Sequence, residues 1–297
     1  MVFIQVILPV FLILGAGFIG QKLLHLNIRS LSTAGLYLMS PWLAFRTFYT
    51  NEVGFQHLSI LIYSVTLSFL LIGVVKLAAK FAGWSASEES GLILASAFMN
   101  NGNMGVPVIL FAFSQEAFDY AVMIMVIHTF LMGTVGIYVA ARGSMPAKEA
   151  LKPAVRMPIA YAAVLGLLWQ RFGWPMPEEL FKAVDLLADA AIPTIMLALG
   201  MQLSTIRLHT ADLGKISFSL AVRLLLSPLI AWGLAVLLGA EPLLLKVMVV
   251  AAAMPTAAIT TMYSLQFDSQ PKLVSSITLT STLLSAFTVS GLLWVLS

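Results

Sequence analysis

The sequence contains no cysteine. Disulfides and thiolate metal sites are therefore excluded, while the redox compartment stays open. Charge is scarce as well: 10% of the 297 residues are Asp, Glu, Lys or Arg, against roughly 25% in soluble domains. Catalytic signatures are missing too. There is no GxSxG elbow, HExxH pair or P-loop, and His25, His57, His128 and His209 are scattered without ligand spacing. No enzymatic reaction, metal or cofactor is expected. The net charge of +3 calls for no nucleic-acid partner, because basic residues flanking membrane spans account for it.

Hydrophobic residues make up 60% of the chain, and the mean hydropathy is +0.97. Apolar stretches of 18 or more residues recur from end to end, each long enough to cross a hydrocarbon core of about 30 Å as a helix. The pattern predicts an all-α, polytopic membrane protein whose surroundings are the lipid bilayer. Ten spans are expected, near 3–21, 31–50, 57–81, 89–114, 119–141, 153–171, 182–203, 213–238, 243–266 and 272–296. Phe3 to Gly20 has no basic residue ahead of it and no small-residue cleavage site after it, so it reads as a mature span and not a signal.

Lys and Arg concentrate in cytoplasmic loops. Eleven of the sixteen basic residues fall in odd-numbered loops and their flanks: Lys22, Arg29, Lys76, Lys80, Arg142, Lys148, Lys152, Arg156, Arg207, Lys215 and Lys272. Even-numbered loops are led by acids such as Glu52, Glu116, Asp119, Glu178, Glu179 and Glu241. Both termini are thus expected outside the cytoplasm.

The longest polar interval between spans, Arg142 to Lys152, bisects the chain. With five spans on each side, related halves (1–145 and 150–297) would have to be inverted relative to each other. Pro9, Pro41 and Pro107 are followed at offsets of 149, 152 and 148 residues by Pro158, Pro193 and Pro255. These prolines occupy the first, second and fourth expected spans of each half. Inverted repeats with interrupted helices at corresponding positions point to the site of a secondary transporter.

The fourth span is interrupted by Asn100-Asn101-Gly102-Asn103-Met104-Gly105-Val106-Pro107, and the ninth by Ala253-Met254-Pro255-Thr256-Ala257-Ala258. Irregular backbone at membrane depth survives only where protein or a water-filled cavity satisfies it. Two broken helices crossing near the midplane would each present a half-helix N-terminus, whose free N–H groups and positive dipole end attract an anion. Asn100, Asn101, Gly102, Asn103, Gly105, Pro107, Met254, Pro255, Thr256 and Ala257 are therefore the expected substrate-binding residues. The plainer reading of a single Asn is glue between packed helices. Three amides beside two glycines and a proline favour a site for a small organic anion, such as a carboxylate.

The run NNGNMGVP, the later AAAMPTAAITTMYSLQFDSQPKLVSSITLTSTLLSAF, and the opening LPVFLILGAGFIGQ with LMSPWLAFRTF resemble the auxin efflux carrier family over essentially the whole chain. The resemblance implies two inverted five-helix repeats, with helices 4 and 9 crossing at Pro107 and Pro255. It also implies a scaffold of helices 1, 2, 6 and 7, a transport domain of helices 3–5 and 8–10, a homodimer, and an elevator-like carrier in a prokaryotic inner membrane. Asn100 takes the position of the asparagine that contacts the substrate carboxylate in the plant carriers. Asn101 and Asn103 have no amide counterpart there. The acidic residue and lysine that plant members keep in helix 3 are absent: that span offers Tyr63, Ser64, Thr66 and Ser68, with Lys76 only near its end. The long cytoplasmic loop is missing as well, and auxin itself is not implied as substrate.

The intramembrane ionisable residues, costly and often functional, are Arg46, His128, Asp185, Asp189 and Arg223. Asp189, four residues before Pro193, would serve as a proton carrier if desolvated; otherwise it faces an aqueous vestibule or pairs with Lys182. His128 would titrate near neutral pH or bond a carbonyl. Arg223 suits a substrate counter-charge or an acid on another helix, and Arg46 suits the outer interface. Protons are the expected coupling ion, with Na+ as the lesser option. A sodium-coupled symporter of the bile-acid type and, further off, an anion channel are the competing functions.

Overall fold

The computed structural model describes residues 3–52, 54–141, 156–206 and 212–296. The midpoint residues Arg142, Lys148 and Lys152, together with Arg207 and His209, lie outside the described residues. Among those described, the fold is all helix, without a β-sheet. In chain order the helices are α1 (Phe3–Leu24), α2 (28–50), α3 (Phe55–Ala82), α4 (Ala86–Ala97), α5 (101–112) and α6 (Gln115–Ala140). They continue as α7 (Pro158–Arg171), α8 (Glu178–Leu203), α9 (Leu213–Leu237), α10 (Pro242–Ala252), α11 (Ala258–Gln266) and α12 (Pro271–Leu296). Six of these, α1, α3, α6, α8, α9 and α12, are long and apolar enough to cross a membrane. Of the other expected spans, 31–50 falls in α2 and 153–171 in the single short helix α7, while 89–114 and 243–266 are each built from two shorter helices, α4 with α5 and α10 with α11.

Local chemistry sets the ends. Ser85 and Glu88 form a reciprocal box at the start of α4: Glu88 Oε2 accepts from Ser85 N–H at 2.8 Å while Ser85 Oγ accepts from Glu88 N–H at 3.3 Å. Asp212 Oδ1 accepts from Gly214 N–H and Lys215 N–H at the start of α9. Gly83 closes α3 in the left-handed region, φ +64°.

Within the helices, wide π turns at Phe3–Ile7, Ala34–Met39, Asn101–Gly105 and Val222–Leu226 lie directly ahead of Pro9, Pro41, Pro107 and Pro228. Proline lacks an N–H and crowds the carbonyl four residues back, so the preceding turn widens.

Small residues decide which helices touch. A Cβ on Gly17 of α1 would sit 2.2 Å from Leu197 O of α8, and one on Gly200 of α8 would sit 2.0 Å from Leu14 O of α1. Backbone meets backbone at this crossing, the way close contact is made where lipid supplies no hydrophobic drive. Gly166 of α7 lies equally tight on α2, its virtual Cβ 2.4 Å from Phe45 O. Elsewhere, α4, α6 and α10 bury nearly continuous apolar runs at the centre of the molecule.

Candidate functional site: two paired helix breaks

The chain leaves helix at Ala97 and at Ala252, and the two breaks meet. Asn100 N–H donates to Pro255 O at 2.8 Å and Ala257 N–H donates to Phe98 O at 3.0 Å, an antiparallel pairing centred on Met99 and Thr256. Each break thus satisfies backbone groups of the other that the apolar surroundings would leave bare. Side chains complete the count. Thr256 Oγ1 donates to Ala95 O at 2.6 Å, and Thr256 N–H donates to Ser281 Oγ of α12 at 3.2 Å. Gly105 is required by close approach: a Cβ there would stand 2.9 Å from Asn101 Oδ1 and 3.2 Å from Met254 Cγ.

Asn100 caps α5. Its carbonyl accepts from Met104 and Gly105 N–H (3.2 and 3.0 Å), and its Oδ1 accepts from Asn103 N–H at 3.3 Å. Its Nδ2 is buried without a partner. Two further orphans lie close in the fold. Asn101 Oδ1 and His128 Nε2 are also buried and unpartnered. All three residues line one cavity of ≈ 900 Å³, measured to its open mouth, together with Gly102, Asn103 and the first turn of α11 at Ala257, Ala258 and Ile259. Buried polar atoms without partners are rare in native folds, and three on residues lining one cavity make it the candidate site. Among the described residues, no Lys, Arg, Asp or Glu lines it.

His128 is held by a choice of proton. Its Nδ1 lies 3.0 Å from Asn101 Nδ2 and 3.1 Å from Ile124 O. An amide N–H can only donate, so the first contact puts the ring proton on Nε2, whereas the carbonyl contact needs it on Nδ1. In a doubly protonated ring Nδ1–H would donate to Ile124 O, the Asn101 amide would have to turn, and the Nε2 proton would be left for a ligand to accept.

Residues 2–293 match the membrane transport protein family. The chain belongs to that family. It is a multi-pass membrane transporter, with relatives among archaeal transporters and plant auxin efflux carriers. An uncharacterized transporter of Methanothermobacter thermautotrophicus is 28% identical over 298 residues, 98% of this chain and 96% of its own. Another, from Methanocaldococcus jannaschii, is 27% identical over 278 residues, 91% of this chain and 90% of its own. A probable auxin efflux carrier component of Oryza sativa is 25% identical over 127 residues, 41% of this chain and 23% of its own.

In this transporter the sequence-selected residues divide. Asn100, Asn101, Gly102, Asn103, Ala257 and His128 line the cavity, whereas Gly105, Pro107, Met254, Pro255 and Thr256 are packed behind it and hold the breaks together. Tyr37, Met125, Thr129, Met157 and Tyr263 also line it. In sequence they are ordinary residues of apolar segments, and no local signal sets them apart.

Asp189 lies elsewhere, in a second cavity of ≈ 690 Å³ shared with Arg46, Gln115 and Pro193. Its Oδ1 is 2.7 Å from Arg46 Nη1, which also reaches Asp185 Oδ1 at 3.3 Å. Lys182 pairs instead with Glu178 at 2.6 Å, one helical turn away. The Asp189 side chain is 69% exposed on the surface of the protein. Arg46 serves an ion pair between α2 and α8. Among the described residues Arg223 meets neither an acid nor the cavity: it bonds carbonyls, Ser96 O at 3.0 Å and Ala252 O at 2.5 Å, and Ser227 Oγ.

Proposed function

We propose that this transporter is a secondary carrier that moves a small organic anion by alternating access about the paired breaks, in an elevator-like motion coupled to protons. The observation that carries the reading is the trio of unpartnered buried atoms, Asn100 Nδ2, Asn101 Oδ1 and His128 Nε2, on three residues that line one cavity. Asn100 Nδ2 donates to the substrate carboxylate, and so does His128 when Nε2 carries a proton. The first turns of α5 and α11 border the same space and add the positive ends of two helix dipoles. Dipoles and amides suit a substrate that must also leave, since they attract an anion without a fixed opposite charge.

His128 is the coupling group in this scheme. A proton taken up at His128 adds a positive charge beside the anion, and its release on the other side weakens the grip. Asp189 is assigned to the outer ion pair with Arg46.

Reciprocal packing supports the inverted five-helix repeats. The first expected helix lies on the seventh (α1 on α8), and the sixth lies on the second (α7 on α2), the exchange a two-fold relation requires. Those four helices, joined through Gly17, Gly166 and Gly200, form the static scaffold of the scheme. Helices around the breaks travel as a body, tied at one end by Lys215 Nζ to Glu88 Oε1 at 2.7 Å. Both termini are extracytoplasmic in this arrangement, and the carrier works as a homodimer in the inner membrane.

Proteoliposomes with an imposed pH gradient test the reading. Labelled acetate, benzoate and succinate are offered, and saturable uptake of at least one that collapses with the proton gradient is the expected result. Uptake that rises linearly with concentration would indicate a channel instead.

A further inference from the structure

Arg223 is the bulkiest fully buried side chain of the described residues, and no carboxylate among them lies within salt-bridge distance of it. A buried charge without an opposite charge is costly unless strong dipoles replace water around it. Here the dipoles are helix ends. Nη1 donates to Ser96 O in the last turn of α4, and Nη2 donates to Ala252 O, the last residue of α10, and to Ser227 Oγ. Ser227 Oγ in turn lies 2.9 Å from the same Ala252 carbonyl. Both half-helices preceding the breaks therefore aim their negative ends at one guanidinium. Met99 Sδ, 4.0 Å from Nη2, stands between that guanidinium and the cavity that Met99 also lines.

Carbonyls at half-helix C-termini with a nearby hydroxyl are also the donor set that binds a coupling cation in transporters with broken helices. We propose that Arg223 is the resident cation of the paired breaks: its guanidinium fills the position a coupling metal ion would otherwise take, so the crossing carries its positive charge permanently and needs no Na+. Two consequences follow from charge alone. The anion cavity lies on the far side of Met99 from a fixed positive charge, without a cationic side chain touching the substrate. The breaks also stay braced through the whole transport cycle, because a cation tethered by its own backbone cannot dissociate.

The inference goes beyond the carrier reading and does not depend on it, so its test adds no substrate. Thermal unfolding of the purified full-length protein is followed in choline chloride, sodium chloride and low-millimolar guanidinium chloride at matched ionic strength. The wild-type protein is expected to melt at one temperature in all three. Arg223→Ala, which leaves Ser96 O, Ala252 O and Ser227 Oγ facing a vacated space, is expected to melt lower and to regain about 2–4 °C in guanidinium or Na+ relative to choline. Stabilisation of the wild type by Na+ over choline overturns the proposal, as does an Arg223→Ala variant indifferent to cations. If Arg223→Ala does not fold, Arg223→Lys is compared with Arg223→Met. Folded, monodisperse protein from Lys and not from Met supports a requirement for charge, and equal behaviour of the two overturns it.

Discussion

Asn100 shows how one side chain serves two ends of the same site. Its backbone and Oδ1 brace the break, and its Nδ2 is left without a protein partner. Asn100→Ala removes that donor and is expected to weaken carboxylate binding about 10- to 100-fold, the range for a hydrogen bond to a charged group. Isothermal titration against a transported carboxylate checks it, and unchanged affinity in a well-folded variant would remove Asn100 from the site. His128 and Asp189 separate by their neighbours. His128→Gln keeps an amide near Asn101 and abolishes titration at that position, so the pH dependence of uptake is expected to flatten. Asp189→Asn only loosens an exposed ion pair with Arg46, and its pH profile should follow the wild type. The reverse pattern would return proton coupling to Asp189.

At the scale of elements, helices are bent by proline and joined by glycine. Gly15 and Gly17 lie on the same helix, yet a Cβ meets nothing within 4 Å at Gly15 and a carbonyl oxygen at 2.2 Å at Gly17. Gly17→Ala and Gly200→Ala must push α1 from α8, a cost of about 1–3 kcal/mol by overpacking, whereas Gly15→Ala should be neutral or slightly stabilising. Thermal melts in detergent distinguish the three variants. The breaks were legible in the sequence because amides, glycines and a proline are conspicuous in an apolar run. The helix pairs were not, since a glycine facing lipid and a glycine facing a carbonyl look the same in one dimension. Arg46 with Asp189 and Arg223 with Ser96 were hidden for a similar reason: their partners lie 143 and 127 residues away along the chain.

For the whole molecule, the absence of cysteine makes orientation directly testable. Arg29→Cys and Glu179→Cys place single thiols at exposed positions in the first turns of α2 and α8, which follow an odd and an even loop. In intact cells an impermeant maleimide should label the second and spare the first; the opposite result would invert the topology. Composition and hydropathy alone determined that the chain is helical and lives in a membrane, because burying unpaired backbone in lipid leaves few alternatives. The motifs determined its family and marked where the helices break. Only the tertiary structure decided how those breaks are used. It set the Asn100–Pro255 and Ala257–Phe98 pairing, put His128 rather than Asp189 beside the amides, and gave Arg223 two helix ends in place of an acid. Each of these is a contact between segments distant in the chain. Hydropathy and spacing describe one segment at a time, and the partner of a buried charge or amide is chosen by packing in three dimensions.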